Sequence, residues 1–287
     1  MSLSTRISSL SDVSPAKIIT VSGKGGVGKT TLTALLVDEL SRSHYQGRLL
    51  VVDGDPAMTL HLVLGQEPPL KTIADVRDET SLSAKVIRRL SAGVSPEQYV
   101  ADRLKSQQVL TTTRQRAMPF DLLAMGWGEG RPGCYCAINN VLGHLLTQLL
   151  SRYDLILVDC EAGLEHLSRF RLTRSDLFVT LTDGSRAARQ VADRALQVAQ
   201  SVGMTIGAVA RVEQLRPGDA AQPEPDVIPL PFDAELQQLT AWGDITALPA
   251  NNPVRTAVKL LVLKSLQLGG HDPAERIRAA LAPVQGG

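Results

Sequence analysis

The residues best suited to chemistry lie in a glycine-rich loop that joins an apolar segment to an amphipathic one. Gly23 and Gly28 flank four residues and are followed by Lys29 and Thr30, which is the spacing of a P-loop. Glycines let successive backbone N–H groups point at phosphate oxygens, and the helix start adds the positive end of its dipole. Lys29 can reach the β- and γ-phosphates, and the Thr30 hydroxyl can bind Mg²⁺. The residues expected to hold the nucleotide are Gly23, Lys24, Gly25, Gly26, Val27, Gly28, Lys29, Thr30 and Thr31.

The same glycines permit a second interpretation. Gly23, Gly25 and Gly28 also match the G-x-G-x-x-G pattern of dinucleotide-binding loops, and Asp53 ends the second apolar run, where a ribose-binding acid would lie. A dinucleotide loop does not require the Lys29-Thr30 pair, however. The sequence therefore favours a nucleoside triphosphate as the ligand.

Acidic residues end two of the apolar runs. Asp53 and Asp55 follow the run that begins near Arg48, and Asp159 ends the run LILVD. An apolar parallel strand that ends in Asp places the carboxylate in the crevice above the sheet, where ligands bind in open α/β folds. Such an Asp can also cap a helix. Two such positions beside a P-loop favour a site that neutralises phosphate charge and positions water.

Two cysteines, Cys134 and Cys136, stand one residue apart just before a predicted helix. A helix start lowers the pKa of a thiol and favours the thiolate, which binds Zn²⁺ and Ni²⁺. Two thiolates do not fill a tetrahedral site, but a symmetric dimer with one pair from each subunit on its axis would supply four. A pair of ordinary buried thiols is the alternative. The close spacing and flanking glycines favour a metal site, and Cys160 remains a third, unassigned thiol.

These residues must be positioned by a regular alternation of elements. Seven short apolar runs begin at Lys17, Arg48, Phe120, Asp154, Asp176, Thr205 and Asp226, and helical patterns separate most of them. Runs that are apolar on both faces are typical of parallel strands covered by helices. We therefore expect an α/β fold with a doubly wound, mostly parallel sheet of about seven or eight strands flanked by helices. Residues 1–15 are expected to form a flexible tail, and residues 16–287 one domain with a helical insertion at about 66–118.

Composition narrows the range of partners. The chain has 287 residues with 30 Lys+Arg and 29 Asp+Glu, a formal net charge of +1, which argues against a nucleic-acid partner because non-specific binding needs a basic surplus. No apolar run is long enough to span a membrane, and the first fifteen residues lack the apolar core of a secretory signal. Three cysteines are too few for a disulfide framework. We expect a cytoplasmic protein with no membrane partner.

The loop KGGVGKT, with its additional lysine, resembles the deviant Walker A loop of ATPases that include the nitrogenase iron protein, MinD, ParA and the arsenite pump ATPase. The resemblance implies that Lys24 reaches the nucleotide of a partner subunit, and hence an ATP-driven homodimer. It implies that Asp55 orients the attacking water and that Asp53 is a second acid near Mg²⁺. Asp159 resembles the Walker B acid that holds Mg²⁺ through water, and Gly163 the glycine that senses the γ-phosphate.

Base recognition in this group often uses an Asn followed by a basic residue in the strand before the last. Ala210 and Arg211 stand at the corresponding positions, so the sequence departs from the pattern at the asparagine. The prediction is that Arg211 stacks on the base and that Pro231 and Phe232 close over it.

Three segments together carry a narrower resemblance. They are the loop KGGVGKT, the segment MGWGEGRPGCYCAINNVLGHLL and the segment DCEAGLEHLSR at 159–169, and they resemble the CooC-type accessory ATPases that mature nickel-containing carbon monoxide dehydrogenase. The resemblance implies a homodimer that binds ATP or ADP with Mg²⁺ and holds Ni²⁺ or Zn²⁺ between paired Cys134 and Cys136. Its client would be carbon monoxide dehydrogenase, into whose active-site cluster it supports nickel insertion. Two departures are Cys160, which replaces an Asn, and the lack of a His-rich segment after Leu281.

Two other functions are consistent with the same loop. An iron–sulfur ATPase of the nitrogenase iron protein type would use Cys134, Cys136 or Cys160 as cluster ligands at the dimer axis, but the adjacent pair favours a single ion. A partition or positioning ATPase of the MinD or ParA type needs a basic amphipathic segment or surface patch to cycle on membrane or DNA. The segment AERIRAALAPVQGG is short and only weakly basic, which argues against this function.

Overall fold

The computed structural model describes residues 16–75, 110–116, 118–126, 152–161, 172–218, 226–243 and 245–267. The strands within these ranges are β1 (Lys17–Gly23), β2 (Leu49–Asp53), β3 (Thr111–Gln115), β4 (Met118–Ala124), β5 (Leu155–Asp159), β6 (Arg174–Thr182), β7 (Thr205–Gln214) and β8 (Val227–Leu230). The helices within them are α1 (Lys29–Arg42), α2 (Leu60–Val63), α3 (Arg186–Ser201), α4 (Ala234–Trp242) and α5 (Pro253–Gln267), with a 3₁₀ turn at Ile245–Ala247.

The strands form a single sheet in the order β3-β4-β2-β5-β1-β6-β7-β8. All neighbouring pairs are parallel except β3 and β4, which confirms the predicted mostly parallel sheet of seven or eight strands. The chain passes from β1 to one side through β2 and later to the other side through β6. The carboxyl end of β1 therefore lies at a switch point of the topology, where open α/β folds bind ligands.

Helices cover both faces of the sheet because its central strands are apolar on both sides. On one face Val21 and Leu157 pack in a core that includes side chains of α1 and α5. On the other face Ile18, Ile156 and Ala195 belong to a second core that includes side chains of α3. All five residues of β2 and of β5 are buried. This two-sided burial fixes the strand ends from which the polar site residues project.

One part of the predicted helical insertion at 66–118 is not helical. Thr111–Gln115 is an antiparallel edge strand that pairs with β4, although no strong strand pattern is present in its sequence. Three consecutive threonines favour extended backbone, and an edge strand needs only one buried face, so its polar residues escape a search for apolar runs. Residues 76–109, the tail predicted at 1–15 and the helix predicted directly after Cys136 lie outside the described residues. Helix α4 was also not predicted from the sequence.

Candidate functional site

The loop between β1 and α1 has the conformation that its glycines predict. A Cβ atom on Gly23 would lie 2.3 Å from the backbone oxygen of Leu181 on the adjacent strand β6, so only glycine fits this position. Gly28 has a left-handed φ of 93° and precedes the first residue of α1. The loop is thus folded tightly against β6, and its last turn leads into the amino terminus of α1, where backbone N–H groups can bind an anion.

The two lysines of the loop lie in different environments. Lys29 is 7% exposed, and its Nζ donates to the backbone oxygen of Lys24 at 3.3 Å. The ammonium group is therefore held against the loop, where it can contact bound phosphate. The Lys24 side chain is exposed. A lysine at the surface can contact a molecule that approaches from outside, whereas a buried one acts only within its own loop.

The carboxyl ends of β2 and β5 bring two acids beside the loop. Asp53 and Asp159 are register partners in these adjacent parallel strands. The Thr30 hydroxyl donates to Oδ2 of Asp159 at 2.7 Å. The backbone N–H groups of Asp55 and Leu60 each donate to Asp53 at 3.1 Å. The carboxylate of Asp55 accepts from the N–H of Ala57 at 2.9 Å, which fixes the turn after β2.

Negative charge in this cluster is only partly compensated by the protein. Burial raises the pKa of Asp159 to about 7, against the opposing effect of the Thr30 hydroxyl and with a further increase from the nearby charge of Asp53. Burial likewise raises the pKa of Asp53 to about 6, although the N–H groups of Leu60 and Asp55 lower it. Oδ1 of Asp159 is buried and has no hydrogen-bond partner among the described residues. A buried carboxylate oxygen without a partner is costly, and a bound cation would satisfy it.

These residues fit a magnesium site that is completed by nucleotide and water. Within the described ranges no group of three or more His, Cys, Asp and Glu side chains is arranged to hold a metal ion alone. Mg²⁺ prefers oxygen ligands and usually takes one or two carboxylates together with phosphate oxygens and water. The Thr30 hydroxyl and the unsatisfied oxygen of Asp159 supply ligands of this kind.

The predicted base contacts are placed less favourably. Arg211 lies within β7, between the buried residues Ala210 and Val212, and its Nη2 is 3.9 Å from Oδ1 of Asp193 on α3. The structure therefore pairs Arg211 with the helix that covers one face of the sheet. The expected Asn position, Ala210, is in the core of the other face. Neither residue is brought to the glycine loop.

A residue that the sequence analysis missed lies closer to the loop. The side-chain oxygen Oε1 of Gln214 is 3.5 Å from the position that a Cβ atom would take on Gly28. Gln214 is paired in register with Leu230, so Pro231 and Phe232 follow directly at the same end of the sheet and are half-buried. The apolar run that begins at Thr205 gave no signal for this residue, because β7 ends in the polar pair Glu213 and Gln214.

Of the three cysteines, Cys160 is the one that lies within the described residues. Cys134 and Cys136, like Gly163, lie outside the described residues. Cys160 is buried in the core that includes α3, and its N–H donates to the backbone oxygen of Val21 at 3.1 Å. Burial raises the pKa of its thiol, which disfavours the thiolate that binds metals. Cys160 is therefore a packing residue in this fold.

A glycine loop at a switch point, a buried lysine and a hydroxyl–carboxylate pair define a P-loop nucleoside-triphosphate-binding protein. A family model described as an AAA domain matches residues 16–206, and the chain belongs to this family, which comprises P-loop ATPases of the ParA and MinD type. The favoured triphosphate ligand and the predicted ATPase class are thereby confirmed, and the dinucleotide alternative is wrong.

Similar proteins place the chain within this class without fixing its role. It is 35% identical over 259 residues to an uncharacterised ATP-binding protein of Methanocaldococcus jannaschii, a match that covers 86% of this chain and 97% of that protein. It is 27% identical over 202 residues to the carbon monoxide dehydrogenase accessory protein CooC of Rhodospirillum rubrum, covering 65% and 70% of the two chains. The structure of the septum site-determining protein MinD complexed with Mg-ADP, from Pyrococcus horikoshii, has a TM-score of 0.61 at 21% identity, covering 89% of this chain and 98% of that one.

The narrower resemblance to CooC is not confirmed by these similarities, because a protein of unassigned function matches a larger share of the chain at higher identity. The MinD structure is similar in fold alone. In the part of the chain that the structure describes, no helix has the length and apolar character needed to cross a membrane.

Proposed function

We propose that the protein is a nucleotide-dependent homodimer that hydrolyses MgATP in support of nickel insertion into a client enzyme. The observation that carries the catalytic part is the contact of 2.7 Å between the Thr30 hydroxyl and Asp159, whose second oxygen is buried and finds no partner in the described part of the chain. Thr30 and Asp159 would hold Mg²⁺, which when bound supplies positive charge to the β- and γ-phosphate oxygens. Lys29 adds a second positive charge to the same phosphates.

We assign to Asp55 the role of orienting the water that attacks the γ-phosphate. Its carboxylate is half-exposed at the end of β2, and the N–H of Ala57 holds one oxygen at 2.9 Å. The other oxygen can accept a hydrogen bond from water and orient it in line with the bond that breaks. Asp53 is less suited to this role because backbone N–H groups bind both of its oxygens. Asp53 is therefore proposed to shape the turn that carries Asp55.

We assign to Lys24 the contact that links two copies of the chain in the homodimer. Its side chain is exposed at the mouth of the phosphate site, so it can bind the nucleotide of a second copy. We expect Lys24→Ala to weaken ATP-dependent dimerisation while the circular dichroism spectrum stays unchanged. The test is light scattering with and without ATP, and dimerisation equal to wild type would contradict the role. Lys264→Ala, an exposed lysine on α5, is the matched control.

The base is proposed to lie between Gln214 and Phe232. The amide of Gln214 offers both a donor and an acceptor, which suits the edge of adenine, and Phe232 offers an aromatic face. We expect Gln214→Ala to raise the KM for ATP about threefold to tenfold, the cost of one hydrogen bond, with kcat unchanged. Gln197→Ala on α3 is the control. An unchanged KM for ATP would remove Gln214 from the site.

In this proposal nickel is the ion that the protein delivers to its client enzyme. The support is the Cys134-x-Cys136 pair and the similarity to CooC. Two pairs on the axis of a dimer would supply four sulfur ligands, a set that binds Ni²⁺ or Zn²⁺. The client would be a nickel-containing carbon monoxide dehydrogenase, because the Rhodospirillum rubrum relative is a carbon monoxide dehydrogenase accessory protein.

The test is titration with Ni²⁺ and with Zn²⁺, with and without ATP, while the oligomeric state is followed. We expect one ion per dimer for the wild type and none for the double variant Cys134→Ser/Cys136→Ser. Cys160→Ser is the matched control, because the buried Cys160 is not expected to bind metal. Equal metal binding by the double variant would contradict the cysteine site. A brown protein with visible absorbance after anaerobic purification would favour the iron–sulfur ATPase instead.

A positioning ATPase is the second candidate, because the similarity to the MinD structure covers 89% of this chain. The same dimeric switch would then cycle on a membrane or on DNA. Co-sedimentation with anionic liposomes and retention of duplex DNA at physiological salt distinguish the two functions. Tight ATP-dependent binding to either surface, together with a cysteine pair that binds no metal, would replace the nickel proposal with this one.

A further inference from the structure

Two short helices that begin beside the nucleotide site meet at their far ends. Helix α2 follows Asp55, and the N–H of its first residue, Leu60, donates to Asp53 at 3.1 Å. Helix α4 follows Phe232 and is capped by Asp233. The two helices therefore connect the segments proposed to contact the attacking water and the base to one common point.

At that point the backbones of the two helix ends touch each other. Gly65 and Gly243 both have a left-handed φ, of 63° and 73°. A Cβ atom on Gly65 would lie 2.6 Å from the backbone oxygen of Gly243, and one on Gly243 would overlap the backbone oxygen of Leu62. Only glycine fits both positions. Because backbone packs directly on backbone, a displacement of one helix end displaces the other.

Two large apolar side chains at this contact are exposed. Trp242, which precedes Gly243, is 86% exposed, and Leu62 is 56% exposed. The value for Trp242 is the highest among the large apolar side chains of the described residues. Exposed apolar side chains that lie together mark interaction surfaces, and tryptophan is the residue most enriched among those that dominate binding energy. The contact is therefore suited to binding a partner.

The charged groups around these side chains are acidic. Glu235 precedes Trp242 by two helical turns, so both lie on the same exposed face of α4. Glu67 is exposed just beyond the end of α2. Residues 60–70 and 233–242 contain no Lys or Arg. A partner with basic groups beside an apolar side chain matches this distribution of charge.

We propose that Leu62 and Trp242 form a docking surface for a basic amphipathic helix of a partner protein, and that this docking responds to the bound nucleotide. A leucine of the partner helix packs on the indole ring, and a Lys or Arg two turns away on the same face pairs with Glu235, about 10 Å from Trp242 along α4. Docking and nucleotide binding are linked through the contact of Gly65 with Gly243. The response to nucleotide rests on the proposed positions of the base and the water, whereas the docking itself does not.

The test uses the full chain and a fluorescein-labelled synthetic peptide of about 18 residues, which forms a helix with leucines on one face and lysines beside them. Fluorescence anisotropy without nucleotide measures its binding. We expect saturable binding of one peptide per chain. Trp242→Ser should weaken binding about tenfold or more, the loss typical of a central interface tryptophan. Leu62→Ser and Glu235→Lys should each weaken it about threefold to tenfold.

Leu260→Ser, at an exposed leucine of α5, is the matched control and should bind as wild type does. A second peptide with glutamates in place of the lysines should not bind. All of the substituted side chains are exposed, so each variant is expected to fold, and thermal unfolding verifies this. Absence of saturable binding by the wild type would overturn the proposal. So would equal binding of the two peptides, or an affinity that neither Trp242→Ser nor Leu62→Ser changes.

A second copy of the chain is the other occupant that this surface could accept. Light scattering of Trp242→Ser with and without ATP distinguishes the two. We expect this variant to dimerise as the wild type does. Loss of dimerisation would overturn the proposal, because it would place the surface within the homodimer.

Titration of the lysine peptide at saturating MgATP measures the response to nucleotide. We expect its affinity to differ at least about threefold from that of the nucleotide-free protein, and the peptide to change the Kd for ATP by the same factor. A wild type that binds no ATP would contradict the proposed function and leave the docking measurable without nucleotide. Equal peptide affinity in a chain that does bind MgATP would overturn the response to nucleotide.

Discussion

Two clusters of buried carboxylates contact the same helix, α1, and they differ in what neutralises their charge. Asp38 and Glu39 lie in the second half of the helix and contact arginines. Asp159 contacts Thr30 in the first turn and, with its neighbour Asp53, has no arginine partner within the described residues. Both clusters are shielded from water, so solvent does not account for the difference.

The protein completes the charge of the first cluster by itself. Asp38 accepts from Arg42 and Arg255 at 2.8 Å and from Arg116 at 3.1 Å. Burial alone would raise the pKa of Asp38, but the hydrogen bonds and charges of Arg42 and Arg255 hold it below its usual value. Arg255 is 1% exposed and also donates to the backbone oxygens of Leu248 and Pro249. This cluster joins α5 and the preceding turn to α1.

The second cluster is left incomplete. Burial raises the pKa of Asp159 and of Asp53, and within the ranges that the structure describes one oxygen of Asp159 has no hydrogen-bond partner. The fold is able to compensate the charge of a buried acid, since it pairs Asp38 with three arginines. The uncompensated charge beside the P-loop is therefore suited to a bound cation, whereas the compensated charge of Asp38 and Glu39 serves the packing of helices.

The largest expected effect comes from breaking the complete cluster. Arg255→Met should lower the free energy of unfolding by about 3–5 kcal/mol, because it leaves Asp38 and Glu39 short of a buried partner. The folded fraction should hydrolyse ATP at the wild-type kcat, since Arg255 does not contact the nucleotide site. Urea unfolding and initial rates measure the two quantities. A stability equal to wild type would show that the cluster is not a structural one.

The next largest effect is expected at Lys29, the positive charge that the protein itself supplies to the phosphate site. Lys29→Ala should lower kcat for ATP by about 10²–10³-fold, the usual loss when one positioned charge is removed from a transition state. Its stability should change little, because the one hydrogen bond of the Lys29 ammonium group within the described residues is to a loop carbonyl at 3.3 Å. Steady-state phosphate release measures the rate. Normal hydrolysis by this variant would contradict the assignment of the loop.

Matched amide substitutions at the two clusters should have different effects on the free energy of unfolding. Without Mg²⁺ and nucleotide, Asp38→Asn should lower the free energy of unfolding by about 2–3 kcal/mol, because three arginines lose their counter-charge. Asp159→Asn should leave it unchanged or raise it, because the variant removes a buried charge that lacks compensation. Urea unfolding in EDTA gives both values. Destabilisation by both substitutions alike would erase the distinction between the clusters.

The smallest effect is expected at an exposed ion pair. Arg48 and Asp154 form a pair at 3.2 Å with both side chains about half-exposed. Arg48→Met should leave the Tm within experimental precision, because surface pairs are screened by water and salt. A large decrease in Tm would mean that an exposed arginine also stabilises the fold, so that burial would not decide which arginines do.

Local signals in the sequence predicted much of the site. The loop spacing placed Lys29 and Thr30 at the start of α1, and the apolar runs placed Asp53 and Asp159 at adjacent strand ends, because these features depend on residues close together in the chain. Register between distant strands brought Gln214 beside Gly28, and no local pattern encodes that contact. The arginine cluster was equally hidden, since Asp38 and Arg255 are separated by 217 positions. The polar edge strand β3 escaped for a different reason, because it lacks an apolar run.

The Mg²⁺ dependence of ATP hydrolysis by the wild type and by Asp159→Asn tests the catalytic metal site most directly, with Asp38→Asn, a buried carboxylate within α1, as the control. We predict Mg²⁺-dependent phosphate release by the wild type and by folded Asp38→Asn. Asp159→Asn should lose at least about 100-fold in kcat at any Mg²⁺ concentration. Hydrolysis by Asp159→Asn at the wild-type rate and with the wild-type Mg²⁺ dependence would contradict the claim that the incomplete cluster is the catalytic metal site.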